Sequence, residues 1–301
     1  MLFEPRRLAI ALAAVCAFLG LYVTQAMLPA LRLEFHTGVQ TVALTVMAST
    51  LAVALAAPLA GAISQHYGQR RVLLVSAALL GATTLGAATA HSLAELIVWR
   101  FAEGLFIPGI FTSAVAYIAE EWPGRETPAV TALFTAGAVL GSFVGRYLGG
   151  ALTQFYGWPT AFVALGALTL TLTAALARVL RRERNFAAGG GLAASLRGLA
   201  KVAGNRRLLA TCAIGFGTLF CQVATFTYIS FHLAAAPYLL DTHQLGEVVA
   251  VFLIGMVATP FAGRLAQRYG TLRLLRVGLL AGAGGMLLTL AQPLPVILAG
   301  L

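Results

Sequence analysis

The chain has 301 residues, of which 59% are hydrophobic and only 10% are charged, and its formal net charge is +10. Soluble domains contain about 25% charged residues, so this composition excludes an ordinary soluble enzyme or binding module and indicates a membrane protein. The three cysteines lie in apolar runs without CxxC spacing, and no metal site, disulfide framework or cofactor is predicted.

Nine apolar runs have the length of a membrane span, and a tenth begins near Pro293. A helix that rises about 1.5 Å per residue needs about 20 residues to cross the hydrocarbon core. The first run is interpreted as an uncleaved span rather than a signal peptide, because its small-residue cleavage motif is poor. The predicted spans cover residues 8–28, 42–63, 72–90, 93–119, 129–153, 159–180, 208–233, 245–262 and 274–290.

The basic residues indicate how these spans are oriented. Seventeen of the 20 Lys and Arg residues fall in segments that a cytoplasmic N-terminus would place inside, which is the pattern of a multi-pass protein of the bacterial inner membrane. Arg32 is expected in the first outer loop, whereas Arg100 and Arg146 fall within spans. Because the charges sit at helix ends rather than among aromatic residues on one face, nucleic acid is not an expected partner.

A short basic turn occurs twice. GAISQHYGQRR begins at Gly61, and GRLAQRYGTLR begins 202 residues later at Gly263. Each copy closes the second span of a half, so the two copies mark equivalent positions of a parallel duplication. Glycine suits such turns because it accepts positive φ. The residues expected to shape the two cytoplasmic turns are Gly61, Gln65, Gly68, Arg70, Arg71, Gly263, Gln267, Gly270 and Arg273.

A basic stretch containing GGG separates the two halves. We therefore predict a six-helix bundle at residues 1–180, a cytoplasmic linker at 181–207 and part of a second bundle at 208–301. The linker is expected to lie on anionic lipid headgroups, with a regulatory or partner-binding role as the alternative.

Charged residues inside spans are the first functional candidates, because a charge in hydrocarbon is costly unless it is paired or wet. Arg100 and Glu103 lie one helical turn apart and can pair. Three alternative roles follow for such a pair. It orients the bundle, it exchanges a proton at Glu103, or it contacts the substrate directly. Arg146 has no acidic residue within one turn, so it must find Glu103, another span, backbone carbonyls or an anionic substrate group.

Two further patterns lie within spans. The fifth span carries a glycine at every fourth position, which predicts a flat strip for close helix packing. A polar run in the seventh span faces either a water-filled path or a neighbouring helix. The glycines are Gly137, Gly141, Gly145 and Gly149, and the candidate pathway residues of the seventh span are Gln222, Thr225 and Tyr228.

These features together resemble the major facilitator superfamily. The first turn is similar to the family signature G-x-L-A-D-x-x-G-R-[KR]-[KR], and RFAEGLFIPG, the glycine-rich fifth span and FYGWPTAF extend the resemblance over the chain. The pair Gly145 and Arg146 and the GRLAQRYG turn are most similar to the arabinose-efflux-permease-like and drug-exporter branches. The resemblance implies an all-α polytopic fold of two parallel-repeated six-helix bundles that moves a small solute by alternating access.

The chain departs from the family pattern at three points. Gln65 stands where the family usually has an aspartate, and the first span has no acidic residue. The family has two bundles of six spans, whereas this sequence stops in the tenth predicted span, so we expect it to be truncated at its C-terminus.

The sequence thus predicts a secondary active exporter of a drug, sugar or metabolite, coupled to protons as an antiporter. The alternatives are an uncoupled facilitator and a non-transporting sensor or scaffold derived from a transporter. An enzyme is not expected, because HExxH, GxSxG and P-loop motifs are absent from the sequence. The expected partners are a small-molecule substrate, protons and membrane lipids, and no oligomer is required.

Overall fold

The computed structural model describes residues 4–122, 124, 126–181, 204–255, 265 and 268–301. This part of the chain is helical and contains no strand, which confirms the predicted all-α class. The helices are α1 Pro5–Leu19, α2 Thr24–Glu34, α3 Val39–Tyr67, α4 Gln69–Ala87, α5 Leu93–Glu121, α6 Thr127–Tyr156, α7 Trp158–Val179, α8 Arg206–Ala234, α9 Thr242–Val248, α10 Thr271–Leu288 and α11 Leu294–Gly300.

Seven helical segments in the described ranges are long and apolar enough to cross a membrane. They are Pro5–Glu34, which joins α1 and α2, and the single helices α3 to α8. These segments match the first seven predicted spans. The eighth predicted span begins in the shorter apolar helix Thr242–Gly255 and continues into residues outside the described ranges.

The first span is broken, which the sequence did not predict. α1 ends at Leu19 and α2 begins at Thr24, and together they form the segment Pro5–Glu34, which covers the predicted span over residues 8–28. Arg32 lies in the last turn of α2 and not in a loop. The physical reason is that carbonyl groups at the break bind a side chain of α5, as described below, and a side chain inserted into the helical hydrogen-bond ladder is a known cause of kinks.

Helix α5 contacts α1, α3, α4 and α6 in the first bundle. α1 also packs along α6, and α4 packs along α7. Large apolar side chains such as Leu51, Leu55 and Val98 are exposed on the outer faces of these helices, as expected where lipid replaces water. The buried polar side chains, by contrast, are surrounded by neighbouring helices and are shielded from both lipid and water.

The glycine strip of α6 brings its backbone against the backbone of α1. A Cβ atom at Gly141 would stand 2.6 Å from the carbonyl oxygen of Val15, and one at Gly145 would overlap the carbonyl oxygen of Leu19. These glycine positions leave no room for a Cβ atom, because the backbones of α6 and α1 are in direct contact there. The absence of side chains along the strip therefore sets the distance between the two helices. Gly137 meets the backbone of Ala11 in the same way, whereas Gly149 packs against the side chain of Val23.

Glycines with matching positive-φ conformations separate successive helices. Gly68 has φ 92° and ψ 141° between α3 and α4, and Gly270 has φ 87° and ψ 139° before α10. These are the equivalent glycines of the two sequence copies, so the repeat extends to backbone geometry. Gly157 has the same conformation between α6 and α7.

The first basic turn is anchored to the end of α7. Arg70 donates hydrogen bonds to the carbonyl oxygens of Leu180 (2.7 Å) and Ala177 (2.8 Å). A cation at these positions complements the partial negative charge of a helix C-terminus. Arg71 and Arg273 are exposed, and Gly61 and Gln65 lie in the last turns of α3.

Several predicted features lie outside the described residues. These are most of the predicted linker, at residues 182–203, and two members of the second turn, Gly263 and Gln267.

We expect Gly141→Ala to destabilise the protein by about 1–3 kcal/mol, because the added methyl group forces α6 away from Val15. The matched control is Gly215→Ala on α8, where an added Cβ would meet nothing within 4 Å. Thermal unfolding of the detergent-solubilised protein, followed by circular dichroism, measures the difference. Equal melting temperatures for the two variants would show that close packing at the strip is unimportant.

Candidate functional site

Arg100 holds the break in the first span. Its side chain is completely buried, and it donates from Nη1 to the carbonyl oxygen of Gly20 (2.8 Å) and from Nη2 to that of Leu21 (2.6 Å). Carbonyl groups at the end of a helix have no amide partner within the helix and carry partial negative charge. The carbonyl oxygen of Gly20 accepts only one long backbone hydrogen bond, from the Val23 amide (3.4 Å). The guanidinium supplies further donors and the complementary charge, so it stabilises the break inside an apolar interior.

The same guanidinium binds α3 and Glu103. Nε donates to the carbonyl oxygen of Thr45 (3.3 Å), Nη2 also donates to Ser49 Oγ (3.1 Å), and Nη1 forms an ion pair with Glu103 Oε2. All three nitrogens are therefore hydrogen-bonded, and the neutral partners outnumber the single carboxylate. Arg100 keeps most of its hydrogen bonds whatever the charge of Glu103.

Glu103 is bonded far less completely. The residue is fully buried, and its Oε1 atom has no hydrogen-bond partner among the described residues. Thr84 lines the same space beside Gly20, but its hydroxyl donates to the carbonyl oxygen of Leu80 (2.8 Å). An unpaired carboxylate oxygen in an apolar interior is costly, and a bound proton or water removes that cost. This carboxyl group is therefore suited to gaining and losing a proton.

Arg146 forms a second buried cluster, one that contains no carboxylate among the residues the structure describes. Only 3% of the residue is exposed. Nε donates to Gln25 Oε1 (2.9 Å), and Nη1 donates to the carbonyl oxygen of Ser142 (3.1 Å) and to its Oγ atom (2.9 Å). Aromatic rings approach the guanidinium: its carbon atom lies 4.7 Å from the ring centroid of Tyr22 and 5.1 Å from that of Phe252.

Gln25 links this cluster to the second half of the chain. Its Nε2 atom donates to Thr227 Oγ1 (3.0 Å) and to the carbonyl oxygen of Val223 (3.4 Å), both on α8. A small, mainly apolar crevice lies beside Gln25, between α2, α8 and the segment around Val249, and its volume of about 10 Å³ is enough for about one water molecule. The second cluster thus sits where the two halves of the chain meet.

The predicted site residues divide into three groups. Arg100 and Glu103 pair as their spacing allows, whereas Arg146 binds Gln25 and not Glu103. Gln222 and Tyr228 are exposed on α8 and Thr225 is half-buried, and neither cluster includes them. Their role in a pathway stays a prediction.

Sequence reasoning missed Gln25 and Tyr22. An amide inside the first apolar run was the available signal for Gln25, because polar groups in spans generally face protein or water. Tyr22 gave no such signal, since its position depends on the break between α1 and α2.

Neither cluster resembles a metal centre. In the described ranges, no three His, Cys, Asp or Glu side chains come together as potential metal ligands.

The model of the Major Facilitator Superfamily matches residues 10–301. The chain is 26% identical over 288 residues to the MFS-type transporter YybF of Bacillus subtilis, covering 94% of the chain and 70% of that relative. It is 27% identical over 273 residues to a multi-drug resistance efflux pump PmrA homologue of Lactococcus lactis, covering 88% of the chain and 65% of that relative.

A solved structure shows the same fold. The chain matches a bacterial homologue of the human lysosomal transporter Spinster, in an inward-facing and unoccupied conformation, with a TM-score of 0.76. The two sequences are 14% identical, and the match covers 98% of this chain and 70% of that one.

We expect Arg100→Met to destabilise the protein strongly, by about 3–5 kcal/mol, because it leaves Glu103 and the carbonyl groups of the helix break without their donor. Arg100→Lys restores the charge but not the planar fork, so an intermediate loss is expected. Arg32→Met, at an exposed position, is the control. Thermal unfolding in detergent separates the three variants, and a lysine variant as stable as the wild type would contradict the role given to the fork.

Proposed function

The chain belongs to the Major Facilitator Superfamily, and on this premise we propose that it exports small organic solutes in exchange for protons. It is a multi-pass membrane protein and a secondary transporter, not an enzyme. Transporters of this class bind a small-molecule substrate between two helical bundles and open alternately to the two sides of the membrane. The direction, the coupling ion and the solute are the proposal.

Proton coupling is supported by the unpaired Oε1 atom of buried Glu103. A proton carrier must be able to change its charge without disrupting the structure around it. Glu103 meets this requirement because its partner Arg100 does not depend on it. Arg100 keeps its hydrogen bonds to Gly20, Leu21, Thr45 and Ser49 whatever the charge of the carboxylate. Protonation of Glu103 weakens one ion pair and leaves the helix break in place.

The cluster around Arg146 supports a substrate site at the junction of the halves. Gln25 connects α2 to α8, and Arg146 belongs to α6, so a solute bound there would contact both halves. Such a contact is what alternating access requires, since binding must favour one arrangement of the bundles over another. We propose that Gln222, Thr225 and Tyr228 line the path when the bundles separate.

The broken helix offers a physical link between the proton site and the substrate site. The carbonyl groups of Gly20 and Leu21 bind Arg100, whereas the ring of the next residue, Tyr22, lies against Arg146. A shift of this segment therefore changes both clusters together. Substrate binding and proton binding can then influence each other by equal free energies.

Export and orientation rest on two observations. One relative is named as a multi-drug efflux pump. The predicted inner segments contain 17 of the 20 basic residues, which favours a cytoplasmic N-terminus in a bacterial inner membrane.

The proposal also includes the two cytoplasmic turns and the division of the chain into residues 1–180, 181–207 and 208–301. The matching backbone conformations of Gly68 and Gly270, one in each predicted turn, support it.

We expect Glu103→Gln to abolish transport driven by a proton gradient, because glutamine keeps the shape of the side chain but cannot carry a proton. Everted membrane vesicles energised by ATP hydrolysis would be challenged with drugs, sugars and small organic acids, and collapse of the pH gradient would be followed by acridine-dye fluorescence. Glu95→Gln, at an exposed position near the start of α5, is the matched control.

A Glu103→Gln variant that transports solute with wild-type dependence on the pH gradient would refute the proton role. If the transport rate does not depend on the pH gradient in either the wild type or the Glu103→Gln variant, the protein is an uncoupled facilitator instead.

A further inference from the structure

Arg146 is bonded in a way that leaves one edge of its guanidinium open. The rings of Tyr22 and Phe252 lie 4.7 Å and 5.1 Å from the central carbon. Nε and Nη1 donate to Gln25 and Ser142. Nη2 makes no hydrogen bond with any described residue, although a guanidinium has donors on all three nitrogens.

The charge of Arg146 is also uncompensated. Its hydrogen-bond partners are an amide, a hydroxyl and a backbone carbonyl, and none of the ion pairs in the described ranges includes it. Buried Arg100 lies in the same bundle and does have a carboxylate partner. A buried cation without a counter-ion is costly, and aromatic rings offset only part of that cost.

We propose that Arg146 is the binding site for the anionic group of the transported solute, and that this group is a carboxylate or a similar oxyanion. This inference rests on the proposed transport function and names the class of its substrate. The anion accepts hydrogen bonds from Nη2, because this nitrogen has no hydrogen-bond partner among the described residues. Charge-assisted hydrogen bonds of this kind are among the stronger polar contacts in proteins.

The neighbouring groups can stay in place when the anion binds. Gln25 Oε1 already accepts from Nε, and Gln25 Nε2 donates to Thr227, so neither contact competes for Nη2. The rings of Tyr22 and Phe252 add apolar surface next to the charge. The site therefore fits an organic acid with an apolar or aromatic body, and an inorganic anion would leave that surface unused.

The test compares carboxylic acids with their uncharged amides. Full-length protein in detergent would be titrated with benzoate and benzamide, nicotinate and nicotinamide, and octanoate and octanamide, and the rise in melting temperature would give an apparent affinity. We expect at least one carboxylate to bind saturably and its amide to bind at least tenfold more weakly. Arg146→Gln should remove this preference, whereas Arg178→Gln, which removes an exposed arginine at the end of α7, should retain it.

The outcomes separate the subsite from the transport function. The inference is overturned if no acid binds better than its amide, or if Arg146→Gln keeps the wild-type preference. If no acid binds better than its amide but the wild-type protein moves neutral solutes in everted vesicles, the anion site fails while export stands. If carboxylates bind through Arg146 but no solute crosses the membrane, the anion site stands and export fails.

Discussion

The hydrogen bonds from Arg100 to the open end of α1 are the interaction on which both polar clusters depend. They satisfy the carbonyl groups of Gly20 and Leu21 inside an apolar bundle, where no water is available to do so. α1 can therefore end at Leu19 and α2 begin at Thr24, although Gly20 and Val23 keep right-handed helical backbone angles. Because Tyr22 lies in this interval, a side chain of α5 determines where an aromatic partner of Arg146 is placed.

Close packing of α6 on α1 completes the arrangement. Gly145 meets the backbone of Leu19 at the last turn of α1, and the next residue along α6 is Arg146. The absence of a side chain at Gly145 thus brings the guanidinium up to the break, within reach of Tyr22 and Gln25. The glycine strip contributes to packing and also positions the cation that the proposed substrate site needs.

Hydropathy and charge predicted the parts of this structure that depend on local sequence. Seven spans, the pairing of Arg100 with Glu103 and the unusual burial of Arg146 follow from the cost of placing polar groups in hydrocarbon. The break in the first span did not follow, because its cause lies 80 residues away in Arg100. The polar run of α8 was equally ambiguous: of its members, Thr227 faces Gln25 while Tyr228 is exposed, and only the packing of α8 against α2 distinguishes them.

The central claim is that Glu103 exchanges a proton when a solute binds near Arg146. The most direct measurement is the number of protons taken up or released when a transported solute is added to the purified protein in weakly buffered solution. The account predicts a proton exchange in the wild type that disappears in the Glu103→Gln variant, although that variant still binds the solute. An identical proton exchange in both proteins would contradict it.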